Sequence, residues 1–269
     1  ITRDVGSNHS QQHCDPLASP PFRDESEVLP FPAPPIFFVQ ISGEETLAPI
    51  SVCAMVSAAK WNPQRPVILL TNKVKKLGGG LAWKVTQTDG IESAIRISQR
   101  PLADLSHTII IARLNISQVF EGTPLYTWYT THQNSGFQEV NLADGLRLVV
   151  LFKFGGSYYD LDMISINAIP PSFLQGSLGY QQHFQLNNAA ISFPKNASFL
   201  RDALDSFVAC FKGHAWGHQG PHLMTRVFQK FNDTHYNRPE LVQNYVKTLP
   251  RETFYPVLFN SPLLVKMVN

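Results

Sequence analysis

The sequence predicts an α/β fold in which a mainly parallel sheet is flanked by helices. Residues 36–42 are predicted to form a buried strand, and residues 67–70 form a second strand of the continuous apolar kind that parallel sheets use. Residues 49–60 between them are predicted to form a helix, and strand–helix–strand is the start of a doubly wound sheet. Residues 142–162 are predicted to contain a helix, two glycines that end it, and a short strand. These observations together define the fold class.

The first elements follow in chain order. The end of the strand 36–42 is where an open α/β sheet would receive a nucleotide. Pro49 suits the first turn of the next helix, in which Ile50, Cys53 and Ala54 are predicted to share one side. After the second strand, we predict a flexible loop over residues 73–90. This loop contains three consecutive glycines but lacks the Lys-Ser/Thr pair of a phosphate-binding loop.

The next predicted elements are a buried strand and the central helix. Residues 108–114 form the strand. In the helix, Leu142, Leu146 and Val149 recur at helical spacing and predict a buried stripe. Asp144 and Arg147 are three residues apart, so they share the opposite face of this helix.

Two carboxylates follow this helix. Gly155 and Gly156 supply the left-handed conformation that ends a helix, and residues 157–159 suit a strand. In extended chain, residues i and i+2 point the same way, so Asp160 and Asp162 can face one point. Two carboxylates held together favour a cation between them, and oxygen ligands suit Mg²⁺ or Mn²⁺. An Asp-x-Asp pair alone is nevertheless a weak signal, since most such pairs are solvated turns.

The residues around this pair make the signal specific. Asp144-x-x-Arg147, followed by Phe-Gly-Gly-x-Tyr-x-Asp-x-Asp over residues 154–162, resembles the glycosyltransferase family whose sugar-binding region contains the DxD motif. The chain looks most like the α1,4-galactosyltransferase and α1,4-N-acetylglucosaminyltransferase group. A second block over residues 216–228 is similar to the same group.

This resemblance implies a GT-A-type nucleotide-diphospho-sugar transferase fold, Rossmann-like, with a mainly parallel sheet flanked by helices. It implies a retaining α1,4-glycosyltransferase that uses Mn²⁺ or Mg²⁺. The donor would be UDP-galactose or a UDP-N-acetylhexosamine, and the acceptor would be a β-linked terminal sugar of a glycolipid or glycan. A non-catalytic sugar-binding or regulatory homologue with an incomplete site is the alternative.

The resemblance also suggests roles for individual residues. Asp162 is the first choice of metal ligand, and Asp160 would contact the metal through water or hold the donor's ribose and sugar. Asp144 would accept hydrogen bonds from donor-sugar hydroxyls. Arg147 would pair with the sugar or phosphate, the alternatives being a surface salt bridge or a helix-to-sheet strut. Asn187 would bind the donor sugar or serve only as a turn residue.

One position departs from the family pattern. Asn188 stands where the family usually has glycine, in a block over residues 186–193 that otherwise resembles a family strand. Asparagine tolerates the left-handed region better than other non-glycine residues, so we expect a turn to survive there.

A histidine-rich segment could hold a metal or a substrate. His214, His218 and His222 are four apart and would share one face of a helix, as a zinc site needs. Gly217 and Pro221 argue against a continuous helix there. We predict instead a loop that leads into a helix starting near Pro221.

That loop supplies further candidate contacts. The free N–H groups at the start of the following helix attract anions or sugar hydroxyls. The resemblance makes His218 and Gln219 candidate substrate contacts, and Trp216 and Gly220 belong to the same acceptor or loop group.

Composition limits the class of protein. A chain of 269 residues that is 43% hydrophobic can bury one full core. A net charge of +2 argues against a nucleic-acid binder that relies on bulk charge. We expect residues 1–35, which are rich in proline, to be a stem or disordered segment and residues 36–269 to be the catalytic domain.

Cysteines and glycosylation signals indicate the compartment. Cys14, Cys53 and Cys210 allow one disulfide and one free thiol, and the sequence does not say which. Four Asn-x-Ser/Thr sequons favour a secretory lumen: Asn8, Asn115, Asn196 and Asn232.

The resemblance extends these expectations beyond the chain. It implies the Golgi lumen and a type II membrane protein whose anchor is not present in this sequence. The family also continues into a C-terminal His-x-Trp segment that this sequence does not contain. We therefore expect the C-terminal end of the catalytic domain to be incomplete.

Overall fold

The computed structural model describes residues 34–41, 46–73, 84–98, 108–132 and 136–256. The strands within these ranges are β1 (Ile36–Gln40), β2 (Val67–Thr71), β3 (Lys84–Asp89), β4 (Thr108–Arg113), β5 (Gly156–Tyr159), β6 (Ser177–Gln182), β7 (Gln185–Phe193) and β8 (Lys247–Leu249). The helices are α1 (Pro49–Trp61), α2 (Ile91–Ser98), α3 (Ile116–Phe120), α4 (Leu125–Thr131), α5 (Gln138–Phe154), α6 (Ser198–Ala209), α7 (Pro221–Thr234) and α8 (Pro239–Tyr245).

The strands form a single mixed sheet in the order β3-β4-β2-β1-β5-β7-β6-β8. The first five strands in this order are parallel to one another. β7 runs antiparallel to both of its neighbours, and β8 pairs parallel to β6. This mainly parallel sheet with helices packed against it is the predicted fold class.

Alternation of side chains along the parallel strands builds a core on each face of the sheet. In β1, Phe37 and Val39 face the larger core with α5, α6 and α7, whereas Ile36 and Phe38 face a smaller core with α1. Both faces are therefore covered, which explains why these strands read as continuous apolar runs.

The central helix and its glycine stop form as predicted. α5 ends at Phe154, and Gly155 (φ +66°) and Gly156 (φ +110°) both adopt the left-handed region. A side chain at Gly156 would place its Cβ 2.4 Å from the carbonyl oxygen of Pro35, so β5 approaches the start of β1 more closely than any other residue type permits.

The buried surface of α5 is wider than the predicted stripe. Leu146 and Val149 are fully buried as expected, but the opposite face, with Asp144 and Arg147, is buried too. Leu142 is only partly buried.

Two local predictions in the first half of the chain are wrong. In α1 only Ala54 of the three predicted side chains is buried; Ile50 and Cys53 are exposed, and Met55 and Ala58 contact the sheet instead. The predicted loop over residues 73–90 includes strand β3, which pairs along its whole length with β4. The triple-glycine segment lies outside the described residues.

Candidate active site at the carboxyl edge of the sheet

The candidate site lies where the parallel strands end. β5 finishes at this edge while the antiparallel β7 extends beyond it, so Asp160 comes beside the middle of β7. The amide of Asp160 donates a hydrogen bond to the carbonyl of Ala189 at 2.8 Å. In open α/β sheets this is the edge at which ligands bind.

Asp160 and Asp162 lie in a turn, so the predicted extended backbone is wrong. β5 ends at Tyr159, and the amide of Met163 donates to the carbonyl of Asp160 at 3.0 Å. The chain turns because Leu161 and Met163 pack back onto the core beside α1. The two carboxylates still lie near each other: burial, and then the charge of Asp160, raise the pKa of Asp162.

Arg147 lies between two carboxylates, that of Asp160 at the sheet edge and that of Asp144 on its own helix α5. Its Nη1 lies 3.1 Å from Asp160 Oδ1 and donates to the carbonyl of Asn188 at 3.0 Å. Its Nη2 lies 3.5 Å from Asp144 Oδ1, and the guanidinium stacks over the ring of Tyr158 at 4.6 Å. Burial alone would lower the pKa of Arg147, but Asp160, Tyr158 and Asp144 raise it above its usual value, so the guanidinium stays charged.

Asn188 is a site residue whose contact the sequence did not reveal. Its Nδ2 donates to Asp144 Oδ1 at 2.8 Å, and the residue is buried. The predicted turn at this position is wrong, because β7 continues through it and its φ is not left-handed. The signal that could have identified Asn188 was its departure from the family's glycine, which places an amide group where the family has no side chain.

Asp144 is enclosed by its neighbours. Burial raises the pKa of Asp144, whereas the charge of Arg147 and the hydrogen bond from Asn188 oppose the rise. A Cβ at Gly220 would lie 3.0 Å from Asp144 Oδ2, so the missing side chain lets the start of α7 approach this carboxylate. Asp144, Arg147, Asn188 and Gly220 thus form one buried group behind the exposed DxD turn.

Asp160 keeps one oxygen for a ligand. The hydroxyl of Tyr158 donates to Asp160 Oδ1 at 2.6 Å, and Arg147 contacts this same oxygen. Asp162 is exposed to solvent. Two carboxylates fit Mg²⁺ or Mn²⁺, because such ions are commonly held by one or two carboxylates together with water and phosphate oxygens.

Asn187 is beside the site, but its amide is already engaged. Its Oδ1 accepts a hydrogen bond from the amide of Ala189 at 2.9 Å, and its Nδ2 donates to Gln181. It belongs to β7, so the alternative of a turn residue is wrong.

The predicted contact residues in the loop before α7 differ in their exposure to solvent. Gln219 is fully buried; its Nε2 donates to the carbonyl of Phe207 at 2.6 Å, and its Oε1 lies 2.5 Å from His218 Nδ1. Burial lowers the pKa of the His218 imidazole. Trp216, in contrast, is 68% exposed, and its ring meets only the edge of Phe137 among the described aromatic residues. The helix begins at Pro221, as predicted.

The three histidines do not form a metal site. His214 Nδ1 accepts a hydrogen bond from the amide of Gly136 at 3.2 Å, and His218 is turned towards Gln219. Across the described ranges, no group of three or more His, Cys, Asp or Glu side chains is placed to hold a metal ion.

A separate cleft of about 280 Å³ opens at the ends of β2, β3 and β4. It lies on the same edge of the sheet as the carboxylates, but β1 lies between it and β5, the strand that Asp160 follows. Its lining residues are Thr71, Gln87, Thr88, Asp89, Ile111 and Arg113.

The predicted glycosylation sites differ in exposure. Asn115 is exposed, and its Oδ1 caps α3 by accepting the amide of Gln118 at 3.4 Å. Asn196 and Asn232 are partly buried. Asn8 lies outside the described residues.

The cysteines and the helices give two further observations about the chain. Cys53 has a free, exposed thiol and Cys210 is disulfide-bonded, whereas Cys14 lies outside the described residues. Among the helices that the structure describes, none is long and apolar enough to cross a membrane.

Comparison with known protein families gives two matches that together span most of the chain. Residues 51–185 match the model described as "Glycosyltransferase sugar-binding region containing DXD motif". Residues 192–262 match the "Alpha 1,4-glycosyltransferase conserved region". The first match contains the Asp144–Asp162 segment, and the second contains the loop before α7 and the turn after β8.

Curated relatives and a solved structure agree with these matches. The chain is 32% identical over 224 residues to lactosylceramide 4-alpha-galactosyltransferase of Rattus norvegicus, which covers 82% of this chain and 58% of the relative. It is 29% identical to human alpha-1,4-N-acetylglucosaminyltransferase, over 72% of this chain and 54% of the relative. The chain therefore spans less than two thirds of the length of these relatives. PaToxG glycosyltransferase has a similar fold, with a TM-score of 0.51 and 19% identity over 80% of this chain and 76% of its own.

Proposed function

Because this chain belongs to the glycosyltransferase family whose sugar-binding region contains the DXD motif, we propose that it transfers a hexose from a UDP-sugar to a glycolipid or glycan. The donor would be UDP-galactose or a UDP-N-acetylhexosamine, and the acceptor would be a β-linked terminal sugar. The new linkage would be α1,4 with retained configuration, in keeping with the second matching region. The observation that carries the proposal is the placement of Asp160 and Asp162 at the carboxyl edge of the sheet, backed by buried Arg147.

Asp162 and Asp160 would hold a divalent cation, Mn²⁺ or Mg²⁺. Such an ion, when bound, neutralises negative charge on the diphosphate of the donor. The exposed carboxylate of Asp162 would be the first ligand, and the oxygen of Asp160 that Arg147 and Tyr158 leave free would be the second.

The buried residues behind the turn would orient the donor. Arg147 fixes the position of Asp160 through a 3.1 Å contact, which favours a supporting role over a direct contact with the sugar or phosphate. Asp144 would accept a sugar hydroxyl with its Oδ2, because Asn188 occupies Oδ1. Asn187 would reach the same sugar only with the second hydrogen of its Nδ2, because Ala189 and Gln181 already engage its amide group.

The loop before α7 would face the acceptor. Trp216 is exposed, and an aromatic ring offers an apolar surface on which a sugar face can stack. Gly220 permits the close approach of this loop to Asp144, and His218 and Gln219 fix the loop from inside.

We favour attack on the same face from which the diphosphate departs. A double displacement needs a nucleophile beside the anomeric carbon. Gln219 is the weak candidate for it, but its amide is bonded at both ends inside the core. In same-face attack the acceptor hydroxyl gives its proton to the departing phosphate oxygen while its own oxygen bonds to the anomeric carbon. A covalent sugar–enzyme adduct in mass spectrometry would contradict this.

The compartment is part of the proposal. Four sequons favour a secretory lumen, and we place the enzyme in the Golgi, anchored as a type II membrane protein. Residues 1–35 would be the stem, and residues 36–269 the catalytic domain.

Release of UDP tests the proposal. The protein is incubated with MnCl₂ and each UDP-sugar, with simple β-galactosides and glycolipids as acceptors. We expect acceptor-dependent UDP release with one donor class, and we expect Asp162→Asn to abolish it. Asp233→Asn, which alters an exposed carboxylate on α7, is the matched control and should leave release unchanged. Unaltered release by Asp162→Asn would refute the metal assignment, and no release with any donor would favour a non-catalytic sugar-binding homologue.

A further inference from the structure

One buried polar group beside the DxD turn has no partner. The hydroxyl oxygen of Tyr255 is buried, and no described group forms a hydrogen bond with it. The backbone of Ala190 lies near enough to lower the pKa of this phenol, but it does not reach hydrogen-bond geometry. Buried polar groups in folded proteins nearly always have a partner, so an orphaned hydroxyl at a site suggests a missing ligand.

The neighbouring Phe254 fixes where Tyr255 lies. The Phe254 ring packs edge-on against Tyr159 at 6.3 Å and against Phe173 at 6.1 Å. A Cβ at Gly179 would lie 2.7 Å from Phe254 Cδ2, so the missing side chain makes room for this ring. Tyr255 itself closes the turn after β8, because its amide donates to the carbonyl of Arg251 at 2.7 Å. The position of Tyr255 is therefore fixed by the packing of the neighbouring Phe254 and by the backbone hydrogen bond to Arg251.

This packing brings Tyr255 near the candidate metal site. Tyr159, against which Phe254 packs, directly precedes Asp160. Asp160, Arg147 and Asp162 all lie within electrostatic reach of the Tyr255 phenol. The phenol thus lies near two carboxylates and one guanidinium.

We propose that the hydroxyl of Tyr255 donates a hydrogen bond to an oxygen of the donor's diphosphate. This assignment rests on the proposed function. A phenol is a donor at neutral pH, and the carboxylates next to it do not accept its hydrogen in the free protein. A diphosphate held with a cation at Asp160 and Asp162 would bring anionic acceptor oxygens to this point, and hydrogen bonds to charged acceptors are the strong ones.

The test compares nucleotide binding by wild-type protein and Tyr255→Phe. The dissociation constants of UDP and of uridine are measured by calorimetry in MnCl₂. We expect Tyr255→Phe to weaken UDP binding by about tenfold or more and to leave uridine binding unchanged, because only UDP has the diphosphate. Equal UDP affinity in the two proteins would overturn the assignment. So would normal UDP affinity combined with a raised KM for the acceptor, which would place the hydroxyl against the acceptor.

Tyr245→Phe is the matched control. Tyr245 has a hydroxyl that donates to Asp202 at 2.6 Å, away from the candidate site. Its loss should lower the melting temperature and leave UDP binding unchanged, whereas Tyr255→Phe breaks no hydrogen bond in the free protein and should not lower it. A melting temperature that falls equally in both variants would mean that Tyr255 is structural. Wild-type protein that binds no UDP would remove the proposed function itself, and this assignment with it.

Discussion

At the scale of single residues, the candidate site depends on Arg147. The sequence predicted that Arg147 pairs with the sugar or phosphate, and it offered pairing with Asp144 only as an alternative, because residues three apart on a helix are neighbours. It did not predict the contacts with Asp160 and the carbonyl of Asn188, because these link segments that only the folded sheet brings together. Long-range contacts of this kind carry no spacing signal in the sequence.

Removing the Arg147 guanidinium should destabilise the folded protein. We expect Arg147→Met to lower the free energy of unfolding by about 3–5 kcal/mol, because two carboxylates would lose their buried counter-charge. Lys153→Met, near the end of the same helix, is the control; its ammonium donates to the carbonyl of Glu121 and lies near the carboxylates of Glu92 and Glu121, but it is only partly buried, so a loss below about 1 kcal/mol is expected. Urea denaturation measures both, and similar losses in the two variants would contradict the central place of Arg147.

His218 should make stability depend on pH. Burial lowers the pKa of its imidazole below the ordinary value of 6.5, so the unfolded chain takes up a proton at a higher pH than the folded one. The stability that the neutral ring contributes is therefore present above that value and is lost progressively as the pH falls below it.

The measurement compares melting temperatures at about pH 7.5 and about pH 5.5. The wild-type protein should lose more on acidification than His218→Gln does, whereas His222→Gln, at an exposed position, should behave like wild type. Equal losses in wild type and His218→Gln would show that this ring is not responsible.

At the scale of elements, the strongest patterns gave the most accurate predictions. β1, β2 and β4 were recognisable because both of their faces are buried, and α5 because a glycine pair follows its apolar repeat. β3 was missed because it is a polar edge strand behind a glycine-rich segment. The turn expected at Asn188 was wrong because β7 runs without a break from Gln185 to Phe193.

Gly156 lets β5 lie close to the residue before β1. A substitution that adds one methyl group tests whether this close approach matters for stability. We expect Gly156→Ala to cost at least about 3 kcal/mol of stability, because its Cβ would meet the Pro35 carbonyl oxygen at 2.4 Å and its φ is +110°. Gly122→Ala is the matched control, with φ +73° but no atom within 4 Å of the added Cβ. It should cost only the backbone strain of about 1 kcal/mol. Urea midpoints that fall equally would mean that close approach is not what fixes this junction.

At the scale of the whole molecule, the order of the strands brings the candidate site together. The reversed strand β7 lies between β5 and β6, so Asn188 meets Asp144 and Arg147 beside the end of β5. Sequence patterns predicted a mainly parallel sheet and its ligand-binding edge, but strand order depends on pairings between distant segments. The turn that carries Tyr255 depends on these pairings too, since it follows β8, which joins the sheet beside β6.

The central claim is that Asp160 and Asp162 hold a divalent cation that in turn holds a UDP-sugar. Calorimetric titration of UDP into wild-type protein and Asp162→Asn, each with MnCl₂ and with EDTA, tests it most directly. Wild-type protein should bind UDP at least about tenfold more tightly with Mn²⁺ than with EDTA, and Asp162→Asn should lose this difference. UDP affinity that is the same with EDTA, or unaltered in Asp162→Asn, would contradict the claim.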